Sequence, residues 1–183
     1  ARWVRKTHSA SVATFRSPTS GPVGHLVGDT PSFVNRIDHR MVVPPLRDGQ
    51  DSARVALVVT ALGDDGDLLE GLSERFDGLV VAGFGVGHVP EVLVERLHRC
   101  AEEMPVVLTS RTGSGPVFLS VYSFPGSESD LIERGLVPAG FLDPFKARVL
   151  LHLLLTTGAD RSTILDAFRA AGGYGQPADW PWA

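Results

Sequence analysis

The run Gly78-Leu79-Val80-Val81-Ala82-Gly83-Phe84-Gly85-Val86-Gly87-His88 decides the fold. Leu79 to Ala82 is an unbroken apolar stretch. A strand without polar alternation is covered on both faces, as in a parallel sheet between layers of helices. Three alternating glycines close the run. Open α/β sheets place ligands beyond the carboxyl ends of their strands, and glycine lets the backbone turn sharply and approach a bound group closely. A dinucleotide fingerprint needs Gly-x-Gly-x-x-Gly, whereas here the third glycine comes one place early and His88 stands in its position. A small-molecule site or a plain tight turn fits the stretch better than a nucleotide site.

The pattern extends outward with the same regularity. Arg54 to Thr60 reads as a buried strand, Asp67 to Phe76 as a helix, Pro90 to Met104 as a longer helix and Pro105 to Ser110 as a third strand. Strands alternating with helices at this spacing imply right-handed crossovers and a parallel sheet. Three strand ends therefore open on one edge: Ala61 to Asp65, Gly83 to His88, and Arg111 to Gly115. Asp64, Asp65 and Asp67 lack the glutamate that closes a calcium loop, so they are expected to cap the coming helix. Further on, Val117 to Tyr122 reads as a strand and Ser127 to Glu133 as a short helix. Asp143-Pro144 starts a helix from Phe145 to Thr157 that Gly158 stops, and Ser162 to Ala171 forms the last helix. The tail is too rich in glycine and proline to be regular.

Ahead of this unit lie a short strand from Arg2 to Thr7 that carries Lys6 near its end, a turn-rich loop or hairpin from Phe15 to Gly24, and a short strand from Ile37 to Val43. Pro44 to Asp51 has the composition of a linker, which places a boundary between residues 1–47 and 48–183. The expected class is α/β: a small parallel sheet flanked by helices, preceded by strands that belong to another domain.

Composition narrows the function. A chain of 183 residues with 43% hydrophobic and 21% charged residues can build one substantial soluble core. Its net charge of -4, without any basic block, offers no footprint for nucleic acid. No apolar run reaches the roughly 18 to 20 residues of a membrane-spanning helix, since Val149 to Leu155 is interrupted by His152. Cys100 stands alone, which excludes an internal disulfide framework and fits a reducing, cytoplasmic compartment. The chain starts at Ala1 rather than Met, as a processed or truncated product would. Lysine occurs only as Lys6 and Lys146, and only lysine among the strong bases can give up its proton.

Four segments together resemble the type I and type II bacterial L-asparaginases. They are Lys6-Thr7-His8-Ser9 with Phe15 and Gly21-Pro22-Val23-Gly24, the turn Ala82 to Pro90, Thr109-Ser110-Arg111-Thr112-Gly113-Ser114-Gly115, and Gly140-Phe141-Leu142-Asp143-Pro144-Phe145-Lys146-Ala147-Arg148. The resemblance runs from Arg2 to about Gly172 and implies that most of an amino-terminal domain precedes Ala1. Neither Thr-Gly-Gly-Thr nor Thr-Asp occurs in this chain.

That resemblance implies hydrolysis of L-asparagine to L-aspartate and ammonia by a threonine hydroxyl, with no metal or organic cofactor. It puts the nucleophile upstream and leaves Lys6 as the one member of the Thr-Asp-Lys group present here. It also implies a homodimer or homotetramer with shared sites. Glu128 then falls on the glutamate that faces the substrate's amino group, and His88 falls where many members carry asparagine. Each has a plainer alternative: Lys6 as a surface lysine, Glu128 as an acid favoured by a helix start, His88 as a helix cap. Lys146, in the first turns of a core-forming helix, is expected to be structural. Two rival functions share the fold: a non-catalytic amino-acid-binding domain, and the amidase subunit of a transfer-RNA amidotransferase.

Overall fold

The computed structural model describes residues 3–35, 39–46, 49 and 51–182. The strands run β1 (Arg5–Lys6), β2 (Phe15–Arg16), β3 (Gly24–Val27), β4 (Thr30–Phe33), β5 (Val55–Val59), β6 (Gly78–Gly83), β7 (Val106–Ser110) and β8 (Val137–Pro138). The helices are α1 (Val94–Glu103), α2 (Glu128–Glu133), α3 (Pro144–Thr156) and α4 (Arg161–Gly172). Two antiparallel hairpins, β1 with β2 and β3 with β4, precede a four-stranded parallel sheet in the order β5-β6-β7-β8. The α/β class with a small parallel sheet flanked by helices is therefore present as expected.

The reason is visible in the side chains. All six residues of β6 and all five of β7 are buried. Successive residues point to opposite faces, so Leu79, Val81, Val106 and Leu108 join α1 and α2 in one core, while Val80 and Val107 join α3 and α4 in the other. Full burial of a Leu or Val side chain is worth roughly 1.5 to 3 kcal/mol, which makes the sheet centre the most stabilised part of the chain. Helix starts follow the sequence signals. Ser127 Oγ accepts the amide of Asp130, Asp143 the amide of Lys146, and Asp160 the amide of Thr163.

Several expected elements differ. Asp67 to Phe76 holds only a 3-10 turn over Asp67–Leu69, because Gly66 and Gly71 adopt positive φ and break any longer helix. The aspartates there do not cap an α-helix. Asp65 accepts the amide of Asp67, and Asp67 pairs with Arg96 at 2.9 Å. The helix expected from Pro90 opens as a 3-10 turn, Glu91–Leu93, before α1. Val117 to Tyr122 forms no strand, since its amides turn to Gly140 O, Val86 O and the Glu128 carboxylate instead of a neighbouring strand. β8 instead completes the sheet, and it stays short because Pro138 has no amide to donate. Arg2 and Ile37 lie outside the described residues, as do positions 47 and 48 of the expected boundary. The described part of the Ile37 to Val43 segment, 39–43, has no strand. The tail is irregular except for Pro177–Asp179, yet Trp180 is buried and its Nε1 donates to Val42 O at 2.9 Å.

Gly140 carries a sharp packing demand. It lies at φ +58°, and a Cβ there would stand 2.8 Å from the Gly172 carbonyl carbon and 2.9 Å from its Cα. Both obstacles are backbone, at the contact between the end of β8 and the end of α4. Gly140→Ala is expected to cost about 3 kcal/mol, from left-handed strain and overpacking together. Urea unfolding checks this, and an unchanged midpoint overturns it.

Candidate active site

The three expected strand ends do meet. Ser110 Oγ donates to Gly85 O at 2.5 Å, Arg111 N to Gly83 O at 2.9 Å, and Arg111 Nη1 to Thr60 O at 2.5 Å. The Arg111 guanidinium also lies 3.9 Å from the centre of the Phe84 ring, a cation–π contact. Arg111 thus ties all three carboxyl ends of β5, β6 and β7 together. Its sequence motif alone gives it no such role.

The glycine turn then delivers His88. Phe84 N donates to His88 O at 2.7 Å and His88 N to Phe84 O at 2.9 Å. Gly85 at φ 47° and Gly87 at φ 112° let the chain reverse within these five residues. A side chain at Gly87 would also meet Val117 Cγ1 at 2.8 Å. The turn therefore serves close packing and aims His88 across the strand ends.

Glu128 comes from the opposite side, in the first turn of α2, and is 0% exposed. Its Oε1 accepts the amides of Val121 and Tyr122, both at 2.8 Å, and its Oε2 lies 3.0 Å from His88 Nε2. An ionised carboxylate only accepts, so His88 Nε2 carries the hydrogen of this bond. Burial pushes the Glu128 carboxyl up, but donation from Tyr122, Val121 and His88 outweighs it and holds the group below its ordinary range. The His88 ring is flanked edge-on by Tyr122 at 5.0 Å and Phe124 at 4.9 Å between ring centres. His88 keeps 23% of its side chain exposed, and its Nδ1 makes no hydrogen bond among the described residues. The sequence-derived residues His88 and Glu128, forty positions apart, are thus a bonded pair with an aromatic flank that sequence reading missed.

Lys6 is not joined to that pair. Its side chain is exposed and makes no hydrogen bond or ion pair among the described residues. Lys146 is structural, with Nζ 3.4 Å from Asp143 Oδ2 and donating to Val4 O. Burial, then the neighbouring Arg5, holds its ammonium below the ordinary lysine range despite Asp143. Among the described residues no three His, Cys, Asp or Glu side chains are grouped to hold a metal ion. No described helix is long and apolar enough to cross a membrane.

Residues 54–168 match the family model described as the glutaminase/asparaginase C-terminal domain. The chain belongs to the asparaginase family. The asparaginase match starts beside β5 and ends in α4, so it spans the parallel sheet and both helical layers. Over 92% of its length the chain is 37% identical to a probable L-asparaginase of Deinococcus radiodurans, of which it covers 51%. It is 30% identical over 91% of its length to L-asparaginase 2 of Escherichia coli, covering 48% of that protein. It is also 30% identical over 83% of its length to one subunit of the glutamyl-tRNA(Gln) amidotransferase of Methanobrevibacter smithii, covering 35%. The chain spans about half the length of the asparaginases that it matches.

Proposed function

We propose that this chain is the carboxyl-terminal part of an amidohydrolase that converts L-asparagine to L-aspartate and ammonia. The His88–Glu128 pair beyond the strand ends, within an asparaginase domain, carries this reading. A threonine hydroxyl from the upstream portion attacks the side-chain amide carbon and expels ammonia, leaving an acyl-enzyme. Water then attacks the ester, releases aspartate and restores the hydroxyl. Lys6 takes part in the proton transfers that activate the hydroxyl. Residues 1–47 end the catalytic portion and 48–183 form the α/β domain that closes the site.

His88, with the buried Glu128 carboxylate bonded behind it, presents the polar face that meets the amino acid's ammonium group. Glu128 supplies the negative charge, and His88 Nδ1, when the ring is neutral, supplies an open acceptor. Two or four copies share sites, one copy's α/β domain covering the catalytic portion of its neighbour. No metal or organic cofactor takes part, and the lone Cys100 supports a cytoplasmic placement.

The test is ammonia release from L-asparagine by the 183 residues alone and after mixing with the separately expressed upstream portion. The expected result is silence alone and turnover on mixing. Robust turnover by the chain alone overturns an upstream nucleophile. Silence in both arms with retained asparagine binding supports instead a non-catalytic amino-acid-binding domain.

The amidotransferase relatives favour one second reading, an amidase that passes its ammonia to a partner acting on transfer RNA. Ammonia release that rises only with the partner protein and its charged transfer RNA supports this alternative.

A further inference from the structure

We propose that Arg5 is a positioning residue that clamps the strand carrying Lys6 onto the α/β domain and so fixes where Lys6 is presented. This rests on the reading of Lys6 as part of the catalytic machinery. Arg5 and Asp143 side chains are both only 12% exposed, and Arg5 Nη1 stands 3.1 Å from Asp143 Oδ2. Arg5 Nη2 donates to Phe141 O at 2.7 Å, and Nε donates to Gly113 O at 3.0 Å. One guanidinium therefore bridges three places: the loop after β7, the turn before α3 and the cap residue of α3. Its planar fork suits such a task, since donors leave it in fixed directions.

Neighbouring contacts brace the same strand. Lys146 Nζ donates to Val4 O, and the Trp3 ring lies edge-on to Phe141 with centres 4.9 Å apart. The β1–β2 ladder itself is only two residues long, with Arg5 opposite Arg16 and Lys6 opposite Phe15. So short an antiparallel pair is marginal without other support. Adjacent residues of a strand point to opposite faces. With Arg5 committed to the domain, Lys6 is turned away from it, and its amine is left open toward whatever meets that face. Gly113 belongs to the same strand-end loop as Arg111, so the clamp ties the strand that carries Lys6 to that loop.

Asp143 has a second duty as the cap of α3, accepting the Lys146 amide at 3.0 Å. Asparagine caps a helix as well as aspartate does, so Asp143→Asn removes the ionic partner and keeps the cap.

Amide hydrogen exchange on the 183-residue chain reads the clamp without any reference to activity. In Arg5→Met and Asp143→Asn the amides of residues 4–7 and 14–16 are expected to exchange about tenfold or more faster, with β5 to β7 unchanged. Ammonia release by the protein restored with its upstream portion reads the consequence. There Arg5→Met is expected to lower kcat by about tenfold to hundredfold with KM within twofold, and Arg5→Lys, which lacks the fork, fails to restore it.

Unchanged exchange overturns the clamp. Faster exchange with unchanged kcat overturns the positioning role while leaving the catalytic reading of Lys6 intact. Full activity in Lys6→Ala overturns that reading, and the positioning role with it, whatever the exchange data say.

Discussion

Lys6→Ala, made in the protein that contains both this chain and its upstream portion, is expected to lower ammonia release from L-asparagine by about 10²- to 10⁴-fold, the usual worth of a positioned proton-transfer group. The structure makes the experiment clean. Lys6 is exposed and its side chain makes no hydrogen bond or ion pair among the described residues, so truncation breaks no polar contact of this chain and is expected to cost at most about 0.5 kcal/mol of its stability. A large loss of turnover with an unchanged unfolding midpoint therefore reports chemistry. Lys6→Arg separates charge from proton transfer. Guanidinium keeps the positive charge but stays protonated in proteins, so it is expected to be nearly as inactive as alanine. Full activity in Lys6→Arg reduces Lys6 to an electrostatic role, and full activity in Lys6→Ala removes it from the mechanism.

How much of this was legible in the sequence depended on how local each cause is. Leu79 to Ala82 reads correctly as a doubly buried strand because the apolar run is itself the cause of burial on both faces. Ser127 and Asp143 read correctly as helix starts because a cap acts only three residues ahead. Val117 to Tyr122 failed for the opposite reason. Its residues suit a strand, yet Val121 and Tyr122 spend their amides on Glu128, an acceptor that no strand periodicity announces. Asp67 to Phe76 failed although its signal was present, since Gly66 and Gly71 both sit at positive φ and leave room for one tight turn.

The site divides in the same way. Gly85 and Gly87 could be tied to a turn that delivers His88, but the bond from His88 to Glu128 joins α2 to the end of β6 through tertiary packing. Arg111 illustrates the limit well. Its three roles, a donor to Thr60, a cover for Phe84 and a continuation of β7 beside Gly83, all cross between strands. Its local sequence marks a strand end but announces none of these three contacts.

Glu128→Gln is expected to cost about 1 to 3 kcal/mol of stability at pH 7 and almost nothing in strong acid. Glutamine has nearly the shape of glutamate and can still accept the amides of Val121 and Tyr122 through its oxygen. Its NH2 group then faces His88 Nε2, however, where the carboxylate Oε2 accepts a hydrogen bond at 3.0 Å. Two donors would oppose each other unless the imidazole shifts its hydrogen to Nδ1. At the same time the two main-chain amides lose an ionised acceptor. The pH dependence follows from the direction of the shift. The folded carboxyl titrates below its ordinary range, so the unfolded chain binds the proton more readily. The charged group's contribution is therefore complete above the unfolded value of about 4.3 and is lost as pH falls through the lower folded value. Urea unfolding of wild type and Glu128→Gln should show a gap in midpoint at pH 7 that narrows as pH falls through the carboxylate range. A gap of the same size at every pH would mean that the substitution acts through shape alone. No gap at pH 7 would mean that the loop through Val121 and Tyr122, with its aromatic flank on His88, does not depend on the charge of Glu128.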